Sequence, residues 1–176
     1  MEHKKMNEEL IYQGRIFDLV RARVRLPNGK DHAYDLVRHR GAVVILPIDR
    51  HGNILFVRQF RVGAEKELLE LPAGLMEESE TPETSAAREV REETGMAAAH
   101  LEEIGQFYMV PGYSTEKLHA FLATGLSEAS LPVDEDEFLE QVPIPIEQAY
   151  AMASRGEIED GKTLAVLLMA RPKILS

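Results

Sequence analysis

Residues 74–96 read GLMEESETPETSAAREVREETGM, and this stretch decides how the rest of the chain is arranged. Thr81 suits a helix N-cap, Pro82 the first helical position and Gly95 a left-handed stop, so the spacing predicts a helix from about Pro82 to Thr94. On that helix Glu89 and Glu93 are i,i+4 neighbours and Glu89 and Glu92 are i,i+3, which puts three carboxylates on nearly one face. Each like-charged pair costs an isolated helix about 0.2–0.5 kcal/mol. Two readings answer that cost. Arg88 and Arg91 can neutralise a solvated face, or a hard divalent cation such as Mg²⁺ can sit there, joining one or two carboxylates to a substrate phosphate.

Working outward, strands and helices mix without a regular βαβ rhythm, which reads as α+β with a mixed sheet between helices. Ala42 to Ile48 is a continuous apolar run, Asp49 to Asn53 a turn, and Ile54 to Phe60 its expected paired strand. Further strands are expected near Gln106–Val110, Leu118–Ala123 and Leu139–Ile144. A second helix should cover Ile146–Ser154 and a third Lys162–Ala170, the latter with Ala165, Leu168 and Met169 on its apolar stripe. Residues 1–40 have their own character. Val20, Ala22, Val24 and Leu26 alternate with arginines, Asn28-Gly29 is a hairpin turn, and Tyr34, Leu36 and Arg38 mark the returning strand. A lone hairpin is rarely stable in water, so this one needs the main body, residues 41–176, or a second chain to pack against.

Composition bounds the function. The chain has 176 residues, 44% of them hydrophobic, enough for one sizeable core. It lacks cysteine, so no disulfide, thiolate nucleophile or thiolate zinc site exists. Thirty acidic against 20 basic residues give a net charge of −10, which argues against nucleic-acid and membrane-surface partners. No apolar run reaches spanning length, and MEHKKMNEEL has no apolar signal core, so a cytoplasmic location is expected. An anionic ligand would need screening from this protein, for which metal cations are the obvious candidates.

The spacing carries more than the charge. Gly74, five residues, Glu80, seven residues and then Arg88-Glu-Val-Arg-Glu-Glu-Thr-Gly95-Met96 resembles the Nudix box, Gly-x5-Glu-x7-Arg-Glu-U-x-Glu-Glu-x-Gly-U with U aliphatic, at every defined position. The resemblance implies an α/β/α sandwich whose loop–helix–loop box binds Mg²⁺ or Mn²⁺ and cleaves a nucleoside diphosphate linked to a further group. It implies Glu89 and Glu93 as principal metal ligands, Glu92 assisting, and the Ala73 carbonyl as a further ligand. Glu80 and Arg88 would pair to hold the box in shape.

Sixteen residues after Gly95 stands Pro111, in Val110-Pro-Gly-Tyr-Ser-Thr-Glu116. That placing, with Arg58-Gln-Phe-Arg61, Glu70-Leu-Pro-Ala-Gly74, Asp134–Glu140 and Gly14-Arg-Ile-Phe17, resembles the ADP-ribose pyrophosphatase subgroup. The resemblance implies hydrolysis of ADP-ribose to AMP and ribose 5-phosphate. Arg61 would bind the terminal phosphate or diphosphate, or simply end a strand as a surface charge. Glu70 would orient the box or substrate, or form a plain salt bridge. Phe17 would stack on adenine, or lie in a core. Pro111 and Gly112 would shape the substrate site, or only a turn. The general base would come from the acidic loop after the proline, where Glu135 and Glu137 are the candidates and Glu116 a weaker one. His39 and His119 lack metal-ligand spacing and read as structural. The resemblance also implies a homodimer in which the N-terminal hairpin exchanges between subunits. Alternative readings are a pyrophosphatase for ADP-glucose, GDP-mannose, FAD or NADH, and a catalytically silent nucleotide-sensing module.

Overall fold

A computed structural model describes residues 2–131 and 138–175, which form two compact units, one from residues 2–41 and 107–118 and the other from 42–106, 119–131 and 138–175. The first unit is built on an antiparallel sheet in the order β1-β2-β3, with β1 Lys4–Gln13, β2 Phe17–Arg25 and β3 Asp31–His39. The expected hairpin is β2–β3, turned at Gly29 with φ +81°. Val20 and Ala22 are buried while Arg21, Arg23 and Arg25 are exposed, as the alternation requires. The sequence reading missed β1, so the element is a three-stranded sheet and not a bare hairpin. Register shifts between Lys5 and Asn7 and between Leu10 and Tyr12 break the period-two pattern by which a strand is read. Residues 107–118 join this unit through Val37, whose N–H donates to the Tyr113 carbonyl at 2.7 Å and whose carbonyl accepts from Thr115 at 3.0 Å.

The second unit holds β4 Ala42–Pro47, β5 Asn53–Arg61, β6 Lys66–Glu70, β7 Ala73–Leu75, α1 Pro82–Thr94, most of β8 Met96–Tyr108 and β9 Lys117–Glu128, β10 Glu140–Pro145, α2 Ile146–Ser154 and α3 Gly161–Ile174. One sheet has the order β7-β4-β9-β8, the other β10-β5-β6. Every residue of β4 is buried, the mark of a strand covered on both faces. Val43 and Ile45 pack with Ala86 and Val90 of α1 and with Phe121 and Ala123 of β9. Val44 and Leu46 alternate to the other face, and α3 packs against the same strand. The architecture is α+β, as expected.

Three expectations are corrected. Ile54–Phe60 does form a strand, but it does not pair with Ala42–Ile48 as a hairpin. Only an isolated bridge, Ile48–Ile54, joins them before β5 enters the other sheet. The Asp49 carboxylate closes the turn between them by accepting from the backbone N–H groups of His51 and Asn53, both at 2.8 Å. The strand expected near Gln106–Val110 begins at Met96, directly after the helix stop, and ends at Tyr108. The buried stripe of α3 is Thr163, Val166, Leu167 and Ala170, whereas Leu168 is 71% exposed. Among the described residues no helix is long and apolar enough to cross a membrane.

Candidate active site

The site is built from the start of α1 upward. Thr81 caps the helix in a reciprocal box with Thr84, Pro82 occupies the first turn, and Gly95 ends it at φ +67°. This fixes which side chains of α1 turn inward, and Glu89 and Glu93 are buried at 7% and 8% exposure. Two carboxylates so placed on successive turns need positive charge or donors around them. Arg88 supplies part of it. Its Nε and Nη2 donate to Glu80 at 2.8 and 2.9 Å, its Nη1 to Glu89 and Glu92 at 2.7 Å each, and Nη2 also to the Leu75 carbonyl at 3.1 Å. Glu80 and Arg88 therefore pair as expected. Arg91 does not join them; its Nε donates to the Ala129 carbonyl at 3.0 Å. One guanidinium thus bonds Glu80, Glu89 and Glu92 together.

The Glu80 carboxyl is held down from its ordinary value of 4.5 to about 2, chiefly by the hydrogen bond from Arg88. A carboxylate favoured in the folded state stabilises the fold above its unfolded pKa, and that stability is lost as pH falls through its folded one. Glu80→Gln should therefore melt below wild type at neutral pH, with the gap closing between about pH 4.5 and 2. Melting curves over that range check it; a gap independent of pH would refute it.

The strand before the box is aimed at these carboxylates. The Ala73 N–H donates to Glu93 Oε2 at 3.2 Å. Gly74 faces Glu89 so closely that a Cβ built there would lie 2.0–2.3 Å from the Glu89 carboxylate atoms. The glycine is thus the space in which that carboxylate sits. Among the described residues no three carboxylate or imidazole groups converge as a ready-made metal cage. The donor set nevertheless fits a hard cation: two buried carboxylates on successive turns of one helix, with water and substrate oxygens to complete the shell, which is how Mg²⁺ is usually held.

Arg61 and Glu70 form one structure. Arg61 Nε and Nη2 donate to the two Glu70 oxygens at 2.7 Å each, and Lys162 donates to Glu70 Oε2 as well. Arg61 is therefore not a solitary charge ending a strand, and Glu70 makes the salt bridge weighed for it. Glu70 is fully buried. Burial pushes its pKa up, but the hydrogen bond from Arg61 and the charge of Lys162 outweigh that and hold it below the ordinary value. Lys162 also meets Asp160 Oδ1 at 3.0 Å, and Asp160 caps α3 through the Thr163 N–H at 2.9 Å. The Thr163 hydroxyl accepts from the Leu71 N–H at 2.9 Å, tying α3 to the chain two residues before Ala73. Sequence reasoning missed Lys162, Asp160 and Thr163 as parts of the site. The N-cap spacing of Asp160 and Thr163 was a readable signal for the start of α3, though not for its neighbours.

The remaining candidates lie elsewhere. Glu135 and Glu137 fall outside the described residues. On either side of them the chain is tied to the end of α1: the Ala129 N–H donates to the Gly95 carbonyl at 2.9 Å, and Gln141 Nε2 to the Thr94 carbonyl at 2.7 Å. In the first unit Phe17 is 43% exposed, so it does not lie in that unit's core. Pro111 and Gly112 form an exposed turn whose Val110 carbonyl accepts from Tyr113 and Ser114. Glu116 lies 4.0 Å from His39 Nε2. His39 Nδ1 accepts from the Gly41 N–H, and His119 Nδ1 lies 2.9 Å from Glu103, so both histidines have local partners.

Comparison with known proteins gives this geometry a setting. The chain is 41% identical over 165 residues to an ADP-ribose pyrophosphatase of Bacillus subtilis, covering 93% of this chain and 89% of that one. It is 36% identical over 170 residues to an ADP-ribose pyrophosphatase of Mycobacterium tuberculosis, covering 95% and 82%. A GDP-mannose pyrophosphatase of an Enterobacter strain is 34% identical over 160 residues, covering 86% and 82%. Among solved structures, an ADP compounds hydrolase superposes with a TM-score of 0.87 at 26% identity, covering 99% of this chain and 95% of that one. The NUDIX domain matches residues 37–167, a span that contains the whole carboxylate box, and the chain belongs to the NUDIX family.

Proposed function

We propose that this protein is a metal-dependent pyrophosphohydrolase that cleaves ADP-ribose to AMP and ribose 5-phosphate. The observation that carries the substrate is the 41% identity to an ADP-ribose pyrophosphatase over nearly the whole chain. In this reading Glu89, Glu93 and the Ala73 carbonyl hold Mg²⁺ or Mn²⁺, with Glu92 assisting. The metal would screen the diphosphate from an acidic protein and lower the pKa of an attacking water. Arg61 presents its outer N–H groups to a phosphate, a geometry that suits a guanidinium. Glu135 or Glu137 takes the proton from the water. Phe17 stacks on the adenine, and Pro111 and Gly112 shape the substrate's path.

The partner surface belongs to the same proposal. Leu10, Ile11, Tyr12 and Ile16 are all more than two-fifths exposed in the first unit, apolar side chains that a second copy of this chain would cover in a homodimer. Sedimentation as a monomer at micromolar concentration would refute that assembly.

Likeness to GDP-mannose pyrophosphatases at 34% identity supports a second reading, in which a different nucleoside diphosphate sugar is preferred. Turnover with Mg²⁺ of ADP-ribose, ADP-glucose, GDP-mannose, FAD and NADH decides between them. ADP-ribose should lead and yield AMP, and Glu135→Gln and Glu137→Gln should differ in severity. A lead for GDP-mannose would keep the chemistry and overturn the substrate; inactivity on all five would favour a nucleotide sensor.

A further inference from the structure

We propose that Lys162, on the first turn of α3, is a positioning residue that leaves the charge of Arg61 available for the substrate phosphate. The inference rests on the reading of Arg61 as the phosphate-binding group. Glu70 is fully buried and needs a counterion. Were Arg61 its only partner, the charge of the guanidinium would be cancelled at contact distance. Here Glu70 Oε2 is shared, with Arg61 Nη2 at 2.7 Å on one side and Lys162 Nζ on the other. The Lys162 side chain is 14% exposed against 41% for Arg61, so the lysine is the inner cation and the arginine the outer one. Glu70 takes the Nε N–H and one N–H on Nη2, two of the five guanidinium N–H bonds, so Nη1 lies outside that pair.

Asp160 balances the lysine in turn. Its Oδ1 meets Lys162 at 3.0 Å, while its Oδ2 accepts from the N–H and hydroxyl of Thr163 at the positive end of α3. Two carboxylates, two cations and a helix N-terminus make a cluster whose outer cation is Arg61, and the charge of Glu93 acts on that guanidinium too. Removing the inner cation leaves the cluster net negative and turns Arg61 wholly toward Glu70. Removing the Asp160 charge does the opposite. The sign of the effect on substrate affinity therefore separates charge positioning from simple structural support.

The test is steady-state hydrolysis of ADP-ribose at saturating Mg²⁺ by the full chain carrying Lys162→Met, Lys162→Arg, Asp160→Asn or Arg61→Ala. Lys162→Met should raise KM about tenfold with kcat within about twofold of wild type. Lys162→Arg should recover most of that loss. Asp160→Asn, which keeps a good N-cap residue, should lower KM severalfold, and it keeps the proposal testable even where Lys162→Met folds poorly. An unchanged KM in Lys162→Met, or a raised KM in Asp160→Asn, overturns the proposal while a raised KM in Arg61→Ala leaves the Arg61 reading standing. An unchanged KM in Arg61→Ala overturns both.

Discussion

Glu93→Gln should lower kcat by about 10³-fold, roughly 4 kcal/mol of transition-state stabilisation, while the melting temperature stays close to wild type. The two halves of that expectation have separate causes. Glutamine has nearly the volume of glutamate, and its carbonyl oxygen can still accept from the Ala73 N–H now bonded to Glu93 Oε2. The strand-to-helix contact therefore survives. What is lost is an anionic oxygen on a buried turn of α1, and a hard cation is held far more weakly by a neutral amide. Activity as a function of Mg²⁺ and a melting curve check both halves. Near-normal turnover would remove Glu93 from the metal set.

Gly74→Ala should cost about 10²-fold in activity, with the melting temperature shifted by no more than about 4 °C. Its added Cβ would stand 2.0–2.3 Å from the Glu89 carboxylate, a separation that cannot persist. The atoms it meets are the far end of a flexible side chain, so the protein relieves the clash by swinging Glu89 aside rather than by unfolding. Arg88 Nη1, now 2.7 Å from Glu89, still has Glu92 as a partner, so the displaced carboxylate leaves no orphaned guanidinium. The signature is a higher Mg²⁺ concentration for half-activation in a protein that melts almost normally. Loss of the fold would show that Gly74 serves the backbone instead, and unchanged metal dependence would show that Glu89 is not a ligand.

How much of this was legible in the sequence follows from what each signal depends on. Helix α1 was legible to the residue, because Thr81, Pro82 and Gly95 act through local backbone chemistry that no distant contact overrides. The box carboxylates were legible for the same reason, since helix geometry fixes their relation. The buried face of α3 was not. Ala165, Leu168 and Met169 share helical spacing with Val166 and Ala170, and what selects the face is polar Thr163, buried because it bonds Asp160 and Leu71. The partners of β5 were equally hidden: Ile54, Leu55, Phe56 and Val57 are all buried, and a strand apolar on both faces carries no mark of its neighbours. Lys162 was invisible as a site residue because its meaning lies in Glu70, which is far away in sequence and adjacent only after folding.

The last turn of α1 has a consequence for the tempo of the site. Gly95 donates to the Arg91 carbonyl at 3.0 Å and accepts from the Ala129 N–H at 2.9 Å, while Thr94 accepts from Gln141. These bonds are in series with the helix that carries Glu93, so none can open alone without loosening the next. Amide protons of Gly95 and Ala129 should accordingly exchange with solvent at matched rates, reporting one opening event. One helical turn thereby sets a common lifetime for the contacts that Ala129 and Gln141 make with it, as a single pin holds two leaves.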